Sequence, residues 1–207
     1  MYRCEARTVS VFIRQLAVNY VSRGYFFYVM GEIPLRKDPA KTDAKIIERY
    51  GIDISKWSRW RQRQTGRAGI QYLRCRSQFV ILATHGEHHF FQDEAQAVRD
   101  IRRLPLRFGG YSVSYRESNG AGHVSVRIER ERFLLLKTYL LKRAQKAPAD
   151  DLASELLSLS FPPFAPVRRQ LFNLARAINY ARKVAGLEPI PQVAFVPRRF
   201  PTAERSN

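Results

Sequence analysis

Three of the chain's four histidines fall within Thr84-His85-Gly86-Glu87-His88-His89, with Asp93 and Glu94 close behind. Imidazoles and carboxylates at this spacing could hold a divalent metal or supply a general base beside a phosphodiester. His85, Glu87, His88, His89 and Asp93 are therefore the catalytic candidates. A second chemistry is carried by cations. Ile54 to Gly86 contains no Asp or Glu, yet holds Lys56, Arg59, Arg61, Arg63, Arg67, Arg74 and Arg76, interleaved with Trp57, Trp60, Tyr72 and Phe79. A second acid-free stretch, Leu156 to Leu187, brings Arg168, Arg169, Arg176, Arg182 and Lys183. With 36 Lys and Arg against 18 Asp and Glu, a formal net charge of +18, the chain presents a field suited to a polyanion.

The histidine cluster fits no named site. Gly86 breaks the helical H-E-x-x-H zinc spacing. The two-histidine motif of rolling-circle nucleases is matched only loosely, because no apolar residue has His on both sides. Such an enzyme would also need a tyrosine nucleophile, for which Tyr139 and Tyr180 are the helical candidates. An HNH-like grouping of His88 and His89 with Asn119 and His123 puts the last two in or beside a hairpin turn, where a helix is required. Phosphate-binding glycine loops, serine elbows and kinase signatures are absent from the sequence. The simpler expectation is a polar loop in which one histidine caps a strand end while Phe90 and Phe91 fill the core. Neither a metal nor a cofactor is expected.

For the cations, two helices matter. Ser55 as N-cap and Gly66 as stop bound a helix over residues 55–64. Lys56, Arg59, Arg63 and Arg67 share one arc, and Trp57, Trp60 and Gln64 its neighbour. Tryptophans three apart are expected to pack down as core anchors, leaving Arg59, Arg63 and Arg67 to face phosphates. On the helix Pro166 to Ala185, Val167, Leu171, Leu174, Ile178, Ala181 and Ala185 make an apolar stripe. Arg169, Asn173, Arg176, Tyr180 and Lys183 repeat the spacing on the other side, offering cations for phosphates and Asn and Tyr for bases.

The remaining elements must position these groups. Val9 to Val21 fits a strand or a helix. Gly24 to Ile33 predicts a buried strand, and Asp38-Pro39 caps a helix that Gly51 ends. Ile70–Cys75 and Gln78–Thr84 predict a hairpin about Arg76-Ser77, followed by a short helix over Asp93–Arg102. YSVSYR (111–116) and HVSVRIE (123–129) alternate with period two about a Gly-rich turn. Tyr111, Val113 and Tyr115 share a face that either builds core, the simpler expectation, or offers an aromatic platform for unstacked bases. From Glu131 the pattern is helical, over Phe133–Lys146, Asp150–Leu159 and the helix after Pro166.

The expected fold is α+β, a mostly antiparallel sheet with flanking helices and a C-terminal helical part. Residues 1–130 are read as the sheet domain, 131–190 as the helical part packed on it, and 191–207 as an extended basic tail. Cys4 and Cys75 cannot build a disulfide framework or a four-ligand zinc site alone, and the longest apolar run, Phe79–Ala83, is far too short to span a bilayer. A cytoplasmic protein without a membrane partner is expected; no protein partner is indicated. The leading expectation is a nucleic-acid-binding protein (RNA-binding or DNA-binding), with RNA or single-stranded DNA preferred, whose sheet and C-terminal helix form one basic surface. The alternatives are a nucleic-acid-processing enzyme of a mobile element (nuclease, transposase or replication initiator) and a structural ribonucleoprotein subunit.

Overall fold

Val9–Val21 folds as helix because its apolar residues form one stripe that can be buried. Phe12, Ile13, Leu16, Ala17 and Val21 are each at most 3% exposed. Thr8 starts α1 (Val9–Arg14) by accepting the Val11 N–H on its hydroxyl. The helix then widens into a π-helical stretch, Gln15–Tyr20, and tightens into a 3₁₀ turn, Val21–Arg23, which Gly24 stops at φ +90°. The protein is seen in a computed structural model that describes residues 2–118, 120–159 and 161–191. Asn119 and nearly all of the 191–207 tail lie outside the described residues.

β1 (Phe27–Glu32), β2 (Ile70–Cys75), β3 (Gln78–Ala83) and the two-residue β4 (Arg99–Asp100) form an antiparallel sheet in the order β2-β3-β1-β4. Gly31 stands opposite Phe79, whose ring occupies the space a side chain at Gly31 would need. Arg76 closes the β2–β3 turn at φ +59° without being glycine. The free edge of β2 is covered by the N-terminal segment: Arg74 N–H donates to Cys4 O and Ala6 N–H to Arg74 O, both at 2.7 Å. The Tyr2 hydroxyl takes the Tyr72 N–H at 2.9 Å, so the edge is not left open to other strands.

α2 (Pro39–Arg49) is capped by Asp38, which accepts the Ala40 N–H, and is followed by Gly51 at φ +57°. A buried carboxylate pins it to the sheet. Asp43 accepts the Tyr72 hydroxyl at 2.7 Å, Arg74 Nε at 2.9 Å and the Cys4 thiol at 3.3 Å. α3 (Lys56–Gln64) starts at Ser55, which accepts the Ser58 N–H at 3.1 Å. α4 (Phe90–Asp93) follows the histidine loop. The helix expected over Asp93–Arg102 does not form. Arg99 and Asp100 instead pair with Tyr28 and Phe27, and Ile101 is fully buried with its N–H on Phe26 O at 2.9 Å, so sheet pairing overrides local propensity.

β5 (Leu106–Phe108), β6 (Tyr111–Ser118) and β7 (Ala121–Ile128) form a second sheet in the order β5-β6-β7. Three helices follow: α5 (Arg130–Ala144), α6 (Ala149–Ser158) and α7 (Ala165–Val184). The architecture is α+β with two antiparallel sheets. The chain divides into two compact units, residues 1–109 with 113–125, and 110–112 with the chain from 126 onward. In the first, Val29, Tyr50, Ile52, Ile70, Tyr72, Ile81 and Phe90 belong to one core cluster. In the second, Leu140, Ala144, Leu152, Leu156, Leu174 and Ile178 pack together, and the Gln170 amide closes on both backbone groups of Ile128 at 2.8 and 3.0 Å.

Candidate nucleic-acid interface

α3 leaves its cations Lys56 and Arg63 exposed as expected, but it does not bury the tryptophan arc expected to pack down. Trp57 is 74% and Trp60 56% exposed, while Ser58, Arg59 and Gln62 are half-buried. Neither tryptophan joins the core cluster of this unit, which is built from Val29, Tyr50, Ile52, Ile70, Tyr72, Ile81 and Phe90 among others. α3 buries no residue fully and is held by polar groups. Arg59 Nη2 donates to Ile54 O at 2.6 Å, and Arg63 Nη2 reaches Arg23 O at 3.4 Å. The tryptophan core anchors expected from spacing are thus corrected to solvent-facing indoles.

Trp60 lines a groove of about 490 Å³ whose lining carries Arg23, Lys56, Arg59 and Arg63 and, among the described residues, no carboxylate. Tyr20, Tyr25 and Trp60 complete its walls; Tyr20 and Tyr25 meet edge to face at 5.8 Å. Burial pushes the Tyr20 hydroxyl above its ordinary pKa, so it stays protonated. Arg23, Tyr20 and Tyr25 escaped sequence reasoning, because the π-helical stretch that carries Tyr20 to the groove leaves no signature in residue spacing. Arg67 is exposed but lines a different cleft, with Glu87, His88 and His89. Arg74 and Tyr72 are withdrawn from the basic surface altogether, being 7% and 0% exposed on Asp43.

The histidine loop is occupied with its own hydrogen bonds. Its backbone is bound to the strand-like segment before it, Glu87 N–H to Gly66 O at 2.9 Å and Ala68 N–H to Glu87 O at 3.1 Å. His88 Nδ1 accepts the Phe90 N–H at 3.0 Å, and burial with the neighbouring His89 holds its pKa below the ordinary imidazole value. His89 stacks on His88 and Tyr50, with ring centroids at 4.3 and 5.5 Å, and its Nε2 sits 2.9 Å from Arg49 O. Asp93 pairs with Arg49 at 3.0 Å and Glu94 accepts the Tyr50 hydroxyl at 2.8 Å. His85 and Glu87 are exposed. His88 and His89 are brought together, while Asp93 is turned to an arginine. Among the described residues no group of three or more His, Cys, Asp or Glu could hold a metal ion. Phe90 is fully buried and Phe91 packs edge-on against Phe27 at 5.3 Å.

In the second unit, α7 has two faces. Val167, Leu171, Leu174 and Ile178 are buried, and Arg169, Asn173, Arg176, Tyr180 and Lys183 are all exposed. Arg176 lies 5.8 Å over the Phe172 ring, and Phe172 is itself 52% exposed. Arg182 is the exception among the cations, buried at 2%. On β6, Tyr111 and Val113 are buried and build core, the simpler expectation, while Tyr115 is half-buried and packs on Phe26 at 4.5 Å. No helix among the described residues is long and apolar enough to cross a membrane.

Comparison of the chain with known protein families, with curated proteins and with solved structures finds no match.

Proposed function

We propose that this protein binds nucleic acid, with RNA or single-stranded DNA preferred over regular duplex. The observation that carries the reading is the placement of α3: both its indoles are exposed, and Trp60 lines a groove that has four cations and, among the described residues, no acid. Stacking of unpaired bases on aromatic faces, with cations along the phosphates, is how single strands are held without reading their sequence. In a duplex the bases are already stacked and unavailable to Trp57 and Trp60. The exposed row Arg169, Asn173, Arg176, Tyr180 and Lys183 on α7 offers a second set of phosphate and base contacts on the other unit. Binding is favoured over strand cleavage because His88, His89, Asp93 and Glu94 are committed to bonds within their own loop and to Arg49 and Tyr50.

The test is a titration of short single-stranded RNA and DNA into the full chain, read by tryptophan emission across a salt series. If the four groove cations neutralise four phosphates, log K falls against log salt with a slope of about −3. Emission from the exposed indoles is quenched as bases stack. A flat salt plot with unchanged emission overturns the reading.

A further inference from the structure

Two polar nitrogens at the groove have no partner. Arg59 Nε is buried and unbonded although its Nη2 is used on Ile54 O. Gln71, only 2% exposed, receives the Tyr2 hydroxyl on Oε1 at 2.9 Å and leaves Nε2 unbonded. Both residues line the same groove, with Arg23, Lys56 and Arg63 around them. Buried donors without acceptors are uncommon in folded proteins because they lose water and gain nothing. Two of them in one cation-lined groove call for an anion with several acceptor oxygens.

We infer that the groove takes the phosphate monoester of a nucleotide, either the terminal phosphate of a strand or a free nucleotide. This rests on the nucleic-acid reading above and adds an end group to it. A monoester has three free oxygens and a charge of about −1.5 to −2 at neutral pH, enough to engage the rim cations and to draw the covered Arg59 Nε and Gln71 Nε2 toward it by a turn of their side chains. An internal phosphodiester has only two free oxygens, carries a single charge and is tied to a sugar on both sides, so it cannot sink to the same donors. A volume of about 490 Å³ lies in the range of small-ligand sites and leaves room for a nucleoside beside Tyr20 and Trp60.

The experiment compares one single-stranded sequence with a 5′-phosphate, with a 3′-phosphate and with hydroxyl ends, by fluorescence anisotropy on the full chain. Competition by adenosine monophosphate and by inorganic phosphate is measured alongside. A phosphorylated end is expected to bind at least about tenfold more tightly, the scale of one or two charge-assisted hydrogen bonds. Gln71→Leu is expected to erase that preference while hydroxyl-ended strands still bind, and Arg59→Lys to erase it together with some strand affinity. Because Arg59 also holds Ile54, the exposed Arg63→Gln is the second variant, expected to weaken the preference by more than any change in melting temperature from its long 3.4 Å contact to Arg23 O accounts for. Displacement by adenosine monophosphate as well as by the phosphorylated strand marks the free nucleotide as a ligand; preference for the end without such displacement marks the strand terminus. Equal affinity for all three ends overturns the inference and leaves strand binding intact. Equal competition by inorganic phosphate and adenosine monophosphate overturns the nucleotide assignment. Binding of adenosine monophosphate without any strand keeps the pocket and overturns the strand reading.

Discussion

The Arg182 guanidinium donates from Nη1 to the carbonyl oxygen of Ala147 at 2.8 Å, just past the C-terminal end of α5. The same nitrogen reaches Ala144 O at 3.2 Å, and Nε donates to Glu188 O. A cation placed on the unpaired carbonyls of a helix end is favoured by the helix dipole, and here it is buried to 2% exposure. Arg182 is therefore a structural plug among helices and no part of a phosphate-binding field.

Arg182→Met is expected to cost about 2–4 kcal/mol, because three carbonyls lose a charged donor. Urea unfolding followed by circular dichroism measures it. Strand affinity of the folded fraction should be unchanged; a matching loss of affinity would return Arg182 to the binding surface.

Local punctuation made much of the fold legible. Asp38-Pro39, Gly51, Ser55 and Gly66 mark helix ends through their own backbone needs, and the Val167–Leu171–Leu174–Ile178 stripe fixes which side of α7 is buried. The facing of α3 was not legible, because the helix turns the polar Ser58, Arg59 and Gln62 inward and leaves both tryptophans in solvent, which no apolar spacing announces. Arg74 and Arg182 looked like field charges for a related reason. Their partners lie 31 and 35 residues away, and no local pattern announces them. The groove is split between the end of α1's helical continuation, α3 and β2, so Arg59 could be named from sequence but Arg23 and Gln71 could not.

Replacing Trp57 and Trp60 by Ala should leave stability within about 0.5 kcal/mol per site, since both are exposed. Strand affinity should drop by about 1–3 kcal/mol for each base that stacks. Melting curves and anisotropy titrations of the double variant check both halves. A large loss of stability would mean the indoles support the fold.

On α7, changing Arg169, Arg176 and Lys183 together to Gln should weaken strand binding at low salt with little change in melting temperature. Leu174, 1% exposed, behaves in the opposite way: Leu174→Ala costs about 2–5 kcal/mol through the cavity it leaves. Equal affinity of the triple variant and the parent would assign binding to the α3 groove alone.

His88 ties stability to pH. Its pKa is below the ordinary 6.5 in the folded protein, chiefly through burial, so the unfolded chain takes up a proton first as pH falls. The contribution is present above pH 6.5 and lost as pH drops from there through the lower folded value, when protonation of Nδ1 also breaks its bond to the Phe90 N–H. His88→Asn supplies an acceptor at a similar position without a titrating ring. Its unfolding free energy should vary less with pH below 6.5 than the parent's, as denaturant titrations at several pH values would reveal.

Asp43 gathers three donors away from water, and breaking a buried ion pair from one side costs about 3–5 kcal/mol. Asp43→Ala is expected to reach that range in chemical denaturation, with the buried Arg74 left to the exposed Glu5 at 3.3 Å and the Arg76 carbonyl. A cost below about 1 kcal/mol would show that water replaces the carboxylate readily.

The same carboxylate also silences a nucleophile. The Cys4 thiol donates a hydrogen bond to Asp43 and keeps its proton, and burial with that hydrogen bond raises its pKa to about 12; Cys75 is buried at 3% exposure and shifted the same way. Almost no thiolate is present at neutral pH in the folded chain, so an alkylating reagent reacts only when the backbone parts. Cys4 then times the peeling of the N-terminal segment from the edge of β2, and Cys75 times the opening of the β2–β3 turn. The protein carries two built-in stopwatches on one strand edge, and the ratio of their labelling rates separates local fraying from global unfolding.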